Sequence, residues 1–331
     1  MSGDLFTASG VWLKGNLHCH TTNSDGLLAP QEVVDLYHGH GYDFLSLTDH
    51  EKITEARSER LLLIPGTEVV TGQGALGDSY HVVAINVEDN DAVQKHRLES
   101  IDSLFEYAAG VGGVAFVAHP YWSRLTTTDL SDLRNCCGVE IYNTGCDLLV
   151  AKGYSTVHWD NLLVQGKMFH GFAVDDAHWY PLDSTGGWIW VKAQERSLAG
   201  LLESIRRGRF YSTMGPTIEN LSHSDGRFEA KFSPVKRVDV VSQGGIGFSA
   251  SVDAIEQVKA IRSDLVKVAV NEAKDGSEEI EVEVGARRAC LNLRNESITY
   301  LSVEGVPFQR YLRLEITDAS GKKAWSNAEF L

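Results

Sequence analysis

The chain has 331 residues, a formal net charge of −15, 43% hydrophobic residues and 23% charged residues. That length supports two domains, or one barrel with an appendage, and the composition supports an ordinary globular core. The acidic balance excludes a general nucleic-acid surface, because the densest basic stretch, Arg206-Arg207-Gly208-Arg209, reads as a helix end rather than a phosphate site.

The N-terminal residues Met1 to Thr7 lack a basic start and an apolar core, so no signal peptide is expected. No apolar run approaches the ~20 residues of a membrane span, so no membrane partner is expected either. Five cysteines, at 19, 136, 137, 146 and 290, follow no disulfide or zinc-finger spacing. A reducing cytoplasm is the expected setting.

In chain order, Gly10 to Leu17 reads as a buried strand ending at His18-Cys19-His20. Residues i and i+2 of an extended segment point the same way, so both imidazoles share one face and Cys19 points into the core. Asp25-Gly26 marks a turn. A helix is expected over Pro30–His40, and a second strand, Tyr42 to Leu47, ends in Asp49-His50. Imidazole and carboxylate are the ligands that first-row divalent metals prefer, and two strand ends supplying both point to one metal site.

Leu61 to Glu68 reads as a third strand ending in a carboxylate. A glycine-rich loop, 72–77, leads to the strand Tyr80–Val87, which begins at His81. If these two strands run antiparallel, Glu68 and His81 come to the same end. Leu98 to Ala109 has a helical pattern stopped by Gly110 and Gly112-Gly113. The next strand, Val114 to Ala118, ends at His119-Pro120, and Gly138 to Asn143 is a short strand with a polar end. A helical connection over 147–165 leads to the strand Met168–Val174, followed by Asp175-Asp176-Ala177-His178. Trp188 to Ala193 is a further strand. Ser197 to Arg207 is a helix with Ser197 as N-cap and Gly208 as its stop.

Strands alternating with helices predict an α/β fold, here a distorted (β/α)7 barrel with its polar groups at one rim. From about residue 217, alternation in 227–232, 279–284 and 311–316 predicts a smaller β-sandwich. The expected domains are therefore 1–216 and 217–331. Residues 253–270 fit helix and strand equally.

The candidate ligands at strand ends are His18, His20, Asp25, His50, Glu68, His81, His119, Asp176 and His178. The remaining histidines (38, 40, 96, 158, 170 and 223) fall on helices, loops or the second domain. Asp175 competes with Asp176. Glu140 and Asn143 either line the pocket or close a turn. Asp49 is a candidate for orienting a ligating histidine or for capping a strand end, and Tyr121 and Arg124 for reaching a substrate phosphate or for ordinary surface positions.

His-x-His with Ser-Asp-Gly, then Leu-Thr-Asp-His, Gly-Thr-Glu, Ala-His-Pro and a terminal Asp-x-His is similar to the PHP (polymerase and histidinol phosphatase) superfamily over residues 10–215. The stretch Arg207 to Pro216, with a β domain behind it, resembles the carbaryl-hydrolase-like subgroup. The resemblance implies that His18, His20, Glu68 and Asp176 hold one metal, and that Glu68 bridges to a second held by His81 and His119. It also implies that Asp25, His50 and His178 hold a third, with aspartate at 25 where many relatives have histidine. Asp176 rather than Asp175 fits the Asp-x-His spacing.

Two to three divalent ions (manganese, zinc or iron) would supply a metal-bridging hydroxide and neutralise phosphoryl charge. The expected function is a phosphoesterase acting on a small anionic metabolite, with Asp49 and Arg124 assisting. The rival enzyme is a carbamate, ester or amide hydrolase with the same centre. A metal-loaded binding module with a glycan- or partner-recognising β domain is the alternative of another class.

Overall fold

The computed structural model describes residues 3–261, 264–272 and 276–331. Met1 and Ser2 of the N-terminal stretch, and residues 262 and 263 of the ambiguous segment 253–270, lie outside them. Contacts divide the described residues into two compact units, one within 9–212 and one within 213–331, with residues 3–8 grouped in the second. The division expected at 216/217 thus falls a few residues away, and the N-terminal residues belong with the other unit.

The second unit takes the short helix α1 (Gly3–Thr7). The first unit begins with β1 (Val11–Asn16), α2 (Pro30–Gly39), β2 (Phe44–Leu47), β3 (Leu62–Thr71) and β4 (Tyr80–Ile85). Two helices, α3 (Asn90–Glu99) and α4 (Ile101–Gly110), precede β5 (Val114–Val117). Then come α5 (Thr127–Ser131), β6 (Gly138–Asn143), α6 (Thr144–Val150), α7 (Thr156–Val164), β7 (His170–Val174), β8 (Trp188–Ala193), α8 (Leu198–Arg206) and β9 (Phe210–Thr213). The helix expected over 98–109 is in fact two. Ser100, extended at φ −175°, ends α3, and its side chain accepts a hydrogen bond from Ser103 N–H to cap α4.

The strand order in this unit is β9-β8-β1-β2-β3-β4-β5-β6-β7. Pairs β1–β2, β2–β3, β5–β6 and β6–β7 are parallel, whereas β4 runs antiparallel to both neighbours and β8 antiparallel to β1. The unit is therefore a mixed α/β fold around a sheet of parallel and antiparallel pairs, coarser than the expected (β/α)7 barrel. The reversal at β4 has a simple cause. The loop between β3 and β4 is too short for a crossover helix, so the pair folds back as a hairpin. β3 also runs on through Glu68 to Thr71, pairing first with β2 and then with β4.

Chain ends of this sheet meet beyond their strands. Asp176 N–H donates to His18 O (2.8 Å), and His20 N–H donates to Ala177 O (3.0 Å). One core, including Leu13, Phe44, Phe116, Phe172 and Val191, fills one side. A second packs Cys19 against Val33, Val34, Tyr37 and Leu45 of α2 and β2. The alternation argument thus holds: Cys19 is core, and the flanking histidines face away from it.

The second unit holds β10 (Ile218–Ser224), β11 (Arg227–Val235), β12 (Arg237–Ser242), β13 (Gly247–Ser251), α9 (Val252–Ala260), β14 (Val266–Glu272) and β15 (Glu278–Val284). It continues with β16 (Arg287–Arg294), β17 (Ser297–Glu304), β18 (Tyr311–Thr317), β19 (Lys323–Ser326) and β20 (Glu329–Phe330). Two antiparallel sheets result, one ordered β10-β11-β17-β16-β15-β14, the other containing β13-β12-β18-β19 with β20 paired to β18. The ambiguous segment resolves into α9 followed by β14.

Candidate metal centre

The nine residues singled out at strand ends converge in the first unit. They fall into three groups that could each hold a metal ion: His18, His20, Glu68 and Asp176; Glu68, His81 and His119; and His20, Asp25, His50 and His178. Strand β1 delivers His18 and His20 two and four residues beyond its last residue, and β7 delivers Asp176 two residues beyond its own. His119 and Asp176 take positive φ angles of 28° and 53°. Such backbone is uncommon for non-glycine residues and is held in place by its surroundings. Gly145, at the start of α6, allows close approach, since a Cβ there would lie 2.8 Å from Asp176 O.

In the first group, His18 Nε2 lies 3.1 Å from His20 Nε2, 3.3 Å from Glu68 Oε2 and 3.2 Å from Asp176 Oδ1. His20 Nε2 lies 3.3 Å from Glu68 Oε2 and 3.1 Å from Asp176 Oδ1. A tetrahedral ion with bonds of ~2.0–2.1 Å spaces its ligand atoms by ~3.3–3.4 Å. These five separations are close to that spacing. Asp176 Oδ1 is buried with no hydrogen bond of acceptable geometry. An orphaned buried carboxylate oxygen facing two imidazole nitrogens is the donor set a divalent cation satisfies. The residues fit a metal.

Neighbouring groups fix the tautomers. A carboxylate only accepts, so His18 Nδ1–H donates to Glu140 Oε1 (2.6 Å), leaving the Nε2 lone pair for the group's centre. Glu140 Oε2 in turn accepts from His119 N–H (2.8 Å) and Asn143 Nδ2 (2.9 Å), and Asn143 Nδ2 also donates to Asp176 Oδ2 (3.0 Å). His119 Nδ1 contacts Ser123 Oγ at 3.0 Å, and His178 Nδ1–H donates to Asp176 O at 2.9 Å.

Glu68 is 1% exposed, and its two oxygens face different partners. Oε1 lies 3.0 Å from His81 Nδ1 and 3.2 Å from His119 Nε2, while Oε2 faces His18, His20 and His50 Nδ1 (3.1 Å). The register Val70↔His81 explains why the antiparallel hairpin brings β3 and β4 together here. The third group is looser. Asp25, more than half exposed, sits 3.4 Å from His178 Nε2 and 3.6 Å from His50 Nε2.

Electrostatics reflect this packing. Burial opposes charge on His18, but the Asp176, Glu68 and Glu140 carboxylates outweigh it and raise its pKa well above the usual imidazole value. His20, likewise buried, is raised to about 9 by Asp176 and Glu68. Burial alone would raise Glu68 and Asp176, yet the facing imidazoles hold both carboxyls well below their usual range. His178 is lowered by burial and by His20, which keeps it neutral and suited to ligation.

The two residues expected to assist, Asp49 and Arg124, lie outside the three groups. The Asp49 carboxylate is engaged by hydroxyls and a backbone amide rather than by a histidine. It accepts from Thr21 N–H (2.7 Å), Thr21 Oγ1 (2.7 Å), Ser24 Oγ (2.6 Å) and Thr54 Oγ1, and these bonds saturate it. Its link to the centre is indirect: Ser24 Oγ lies 3.4 Å from His20 Nδ1. The orienting carboxylate is Glu140 instead. Arg124 is not brought into the three groups. It pairs with Asp78, and lines a neighbouring cavity of about 530 Å³ with His81, Trp122 and Lys152. Asp175 is excluded as a rival ligand. It is fully buried and accepts from Asn16, Tyr37, Thr144 and the backbone of Thr185, Gly186 and Gly187.

A cavity of about 210 Å³ opens beside the groups, lined by Trp122, Gly145, Cys146 and Leu149 as well as the candidate ligands other than His18 and His20. Trp122 lies 5.6 and 5.0 Å from the His81 and His119 rings, edge to face. Sequence reading missed Trp122, Ser24 and Ser123, although all three stand within four residues of a flagged histidine.

No family model matches the chain. Over 103 residues it is 33% identical to a 5'-3' exoribonuclease of Haemophilus influenzae, a match covering 29% of this chain and 37% of that protein. The chain thus spans little more than a third of that relative's length. Among solved structures it is similar to a two-domain protein of Bacteroides vulgatus described as containing a predicted PHP-like metal-dependent phosphoesterase. That match has a TM-score of 0.50 and 17% identity, and covers 97% of this chain and 95% of the other. An amidohydrolase of Chromobacterium violaceum matches with a TM-score of 0.41 and 16% identity over 51% of this chain and 89% of the other. Fold and site together define a mixed α/β unit, similar in fold to that two-domain protein, carrying a His/Asp/Glu centre that could bind metal. Among the described residues no helix is long and apolar enough to cross a membrane.

Proposed function

We propose that the first unit is a phosphoesterase of the PHP superfamily, carbaryl-hydrolase-like subgroup, acting on a small anionic ester. The observation that carries this reading is Glu68, whose two oxygens face two separate sets of imidazole nitrogens. Such a carboxylate suits two adjacent ions, and Asp25, His50 and His178 suit a third, giving two to three divalent ions of manganese, iron or zinc. When bound, clustered ions of this kind lower the pKa of a shared water toward ~7 and neutralise charge developing on phosphoryl oxygens.

The chain's own residues do the positioning. Glu140 keeps His18 protonated at Nδ1, Ser24 is placed to do the same for His20, and Asn143 orients Asp176. Trp122 and Leu149 screen one side of the cavity from water. The hydrogen bonds joining residues 18–20 to 176–177 support reading the sheet as a distorted (β/α)7 barrel. Five unpaired thiols support a cytoplasmic setting. The exoribonuclease relative supports chemistry at phosphorus, while the net charge of −15 favours a small ester over a polynucleotide.

A second reading, hydrolysis of a carbamate, carboxyl ester or amide, is favoured by the apolar Trp122 and Leu149 beside the centre. The test is an activity panel of phosphate monoesters and diesters beside aryl carbamates, using the full chain with added manganese or zinc. Metal-dependent release of phosphate supports the first reading. Turnover of carbamates alone would replace it with the second.

A further inference from the structure

Asp25 brings the one carboxylate of the third group, and it comes from the stretch between β1 and α2, which is neither strand nor helix. The side chain is more than half exposed. Among the described residues its carboxylate faces only imidazoles: His178 Nε2 at 3.4 Å, His50 Nε2 at 3.6 Å and His20 Nδ1 at 3.7 Å. All three are candidate ligands themselves. An exposed loop carboxylate costs conformational entropy to order on an ion, so a ligand in such a place depends on bonds that hold its backbone beforehand.

Those bonds converge on Asp49, which is fully buried. Its Oδ1 accepts from Thr21 N–H (2.7 Å) and Ser24 Oγ–H (2.6 Å), and its Oδ2 from the hydroxyls of Thr21 (2.7 Å) and Thr54. Ser24 and Gly26 N–H both fold back onto Thr21 O, at 3.0 and 2.9 Å, so Thr21 and Ser24 set the turn that carries Asp25. Thr54 Oγ1 also accepts from Asn23 Nδ2 of the same turn (3.1 Å). On the other side, Asp49 directly precedes His50, which Asp25 faces. One buried carboxylate thus ties the turn bearing Asp25 to the segment bearing His50. The far end of the turn meets the last member of the group, where Leu27 N–H donates to His178 O (2.9 Å).

Resting on the metal-dependent reading above, we propose that Asp49 is the positioning residue of the third ion. Through Thr21 and Ser24 it holds Asp25 opposite His50 and His178, and so decides whether the chain binds three ions or two. It stands outside all three groups and acts by the bonds it accepts, not by its charge. Asparagine in its place can keep those bonds. The amide oxygen accepts from Thr21 N–H and Ser24 Oγ–H, while the NH2 donates to the hydroxyls of Thr21 and Thr54, which turn to accept. Alanine keeps none. The two groups that share Glu68 draw no ligand from residues 21–26, so their ions stay.

The test is titration of the chelator-stripped full chain with manganese(II), counting bound ions from the loss of the free-ion signal in electron paramagnetic resonance. Wild type should take up three ions, and Asp49→Asn three as well, with the third held within a few-fold of wild type. Asp49→Ala should keep two and bind the third more than ~100-fold more weakly. Ser24→Ala, which removes one bond and leaves Asp49 in place, should weaken the third about tenfold, the worth of one hydrogen bond to a charged group. It carries the test alone if Asp49→Ala does not fold. A third ion untouched in both variants, or all three ions weakened together, would overturn the assignment. So would Asp49→Asn behaving as Asp49→Ala, since charge would then be the cause. One or two ions in wild type and no third would overturn it and leave the hydrolase reading standing. Less than one ion in wild type would overturn the metal-dependent reading and the inference with it.

Discussion

His18 Nδ1 lies 2.6 Å from Glu140 Oε1, and both side chains are fully buried. The pair spans 122 residues of sequence and fixes which nitrogen His18 turns toward Glu68 and Asp176. Removing such an outer carboxylate typically costs 10–100-fold in metal affinity or activity. Glu140→Ala should show a loss of that size in metal affinity. Glu140→Gln should recover only part of it, because its amide oxygen still accepts from Nδ1–H while its NH2 meets the donors His119 N–H and Asn143 Nδ2 that Oε2 accepted from. A Glu140→Ala protein with wild-type metal affinity would show that the contact orients nothing.

The reach of sequence reasoning shows clearly around this pair. His18 and His20 were legible because strand alternation is a local rule, and Glu68 with His81 because a short glycine loop forces a hairpin. Glu140 was left open between two roles, since nothing local records that β6 brings it under His18. Asp49 was likewise open between two roles, since its partners Thr21, Ser24 and Thr54 come from loops whose conformation has no periodic signature. Helix α3 escaped notice because Val93 is its one fully buried residue, so its sequence carries almost no apolar stripe.

Metal removal should be visible as lost stability. A ligand that binds only the folded state at ~1,000 times its dissociation constant adds about 4 kcal/mol. For a unit of this size that corresponds to a midpoint shift on the order of 10 °C. Thermal unfolding with and without chelator should show this shift, reversed by added manganese or zinc. An unchanged midpoint would mean that the buried imidazoles and carboxylates are satisfied without metal.

The second unit offers a pH test independent of the centre. Glu315 is largely buried, a state that by itself would raise its pKa. Arg313 (3.1 Å) and Lys323 outweigh this and hold it below the usual carboxylate range. With the folded pKa depressed, the stabilisation is present above the unfolded value of ~4.5 and is lost as pH falls through the folded one. Glu315→Gln should cost about 2 kcal/mol at pH 7, and the difference should close in strong acid. Denaturant unfolding at pH 7 and near pH 3 measures both, and a gap independent of pH would remove the ionic explanation.

Glu68→Gln keeps the size of the bridging side chain but removes its charge. It should weaken both groups that share Glu68 and cut the rate by orders of magnitude, beyond the 10–100-fold expected for an outer partner. Full metal content with less than about a tenfold loss in rate would demote Glu68 to an outer position.

The central claim is that His18, His20, Asp25, His50, Glu68, His81, His119, Asp176 and His178 form one multinuclear centre. Elemental analysis of the full chain purified without chelator tests it most directly. The geometry predicts two to three equivalents of manganese, iron or zinc per chain, falling below two in Glu68→Gln. Less than one equivalent in the wild type, with none taken up when these metals are added, would contradict it.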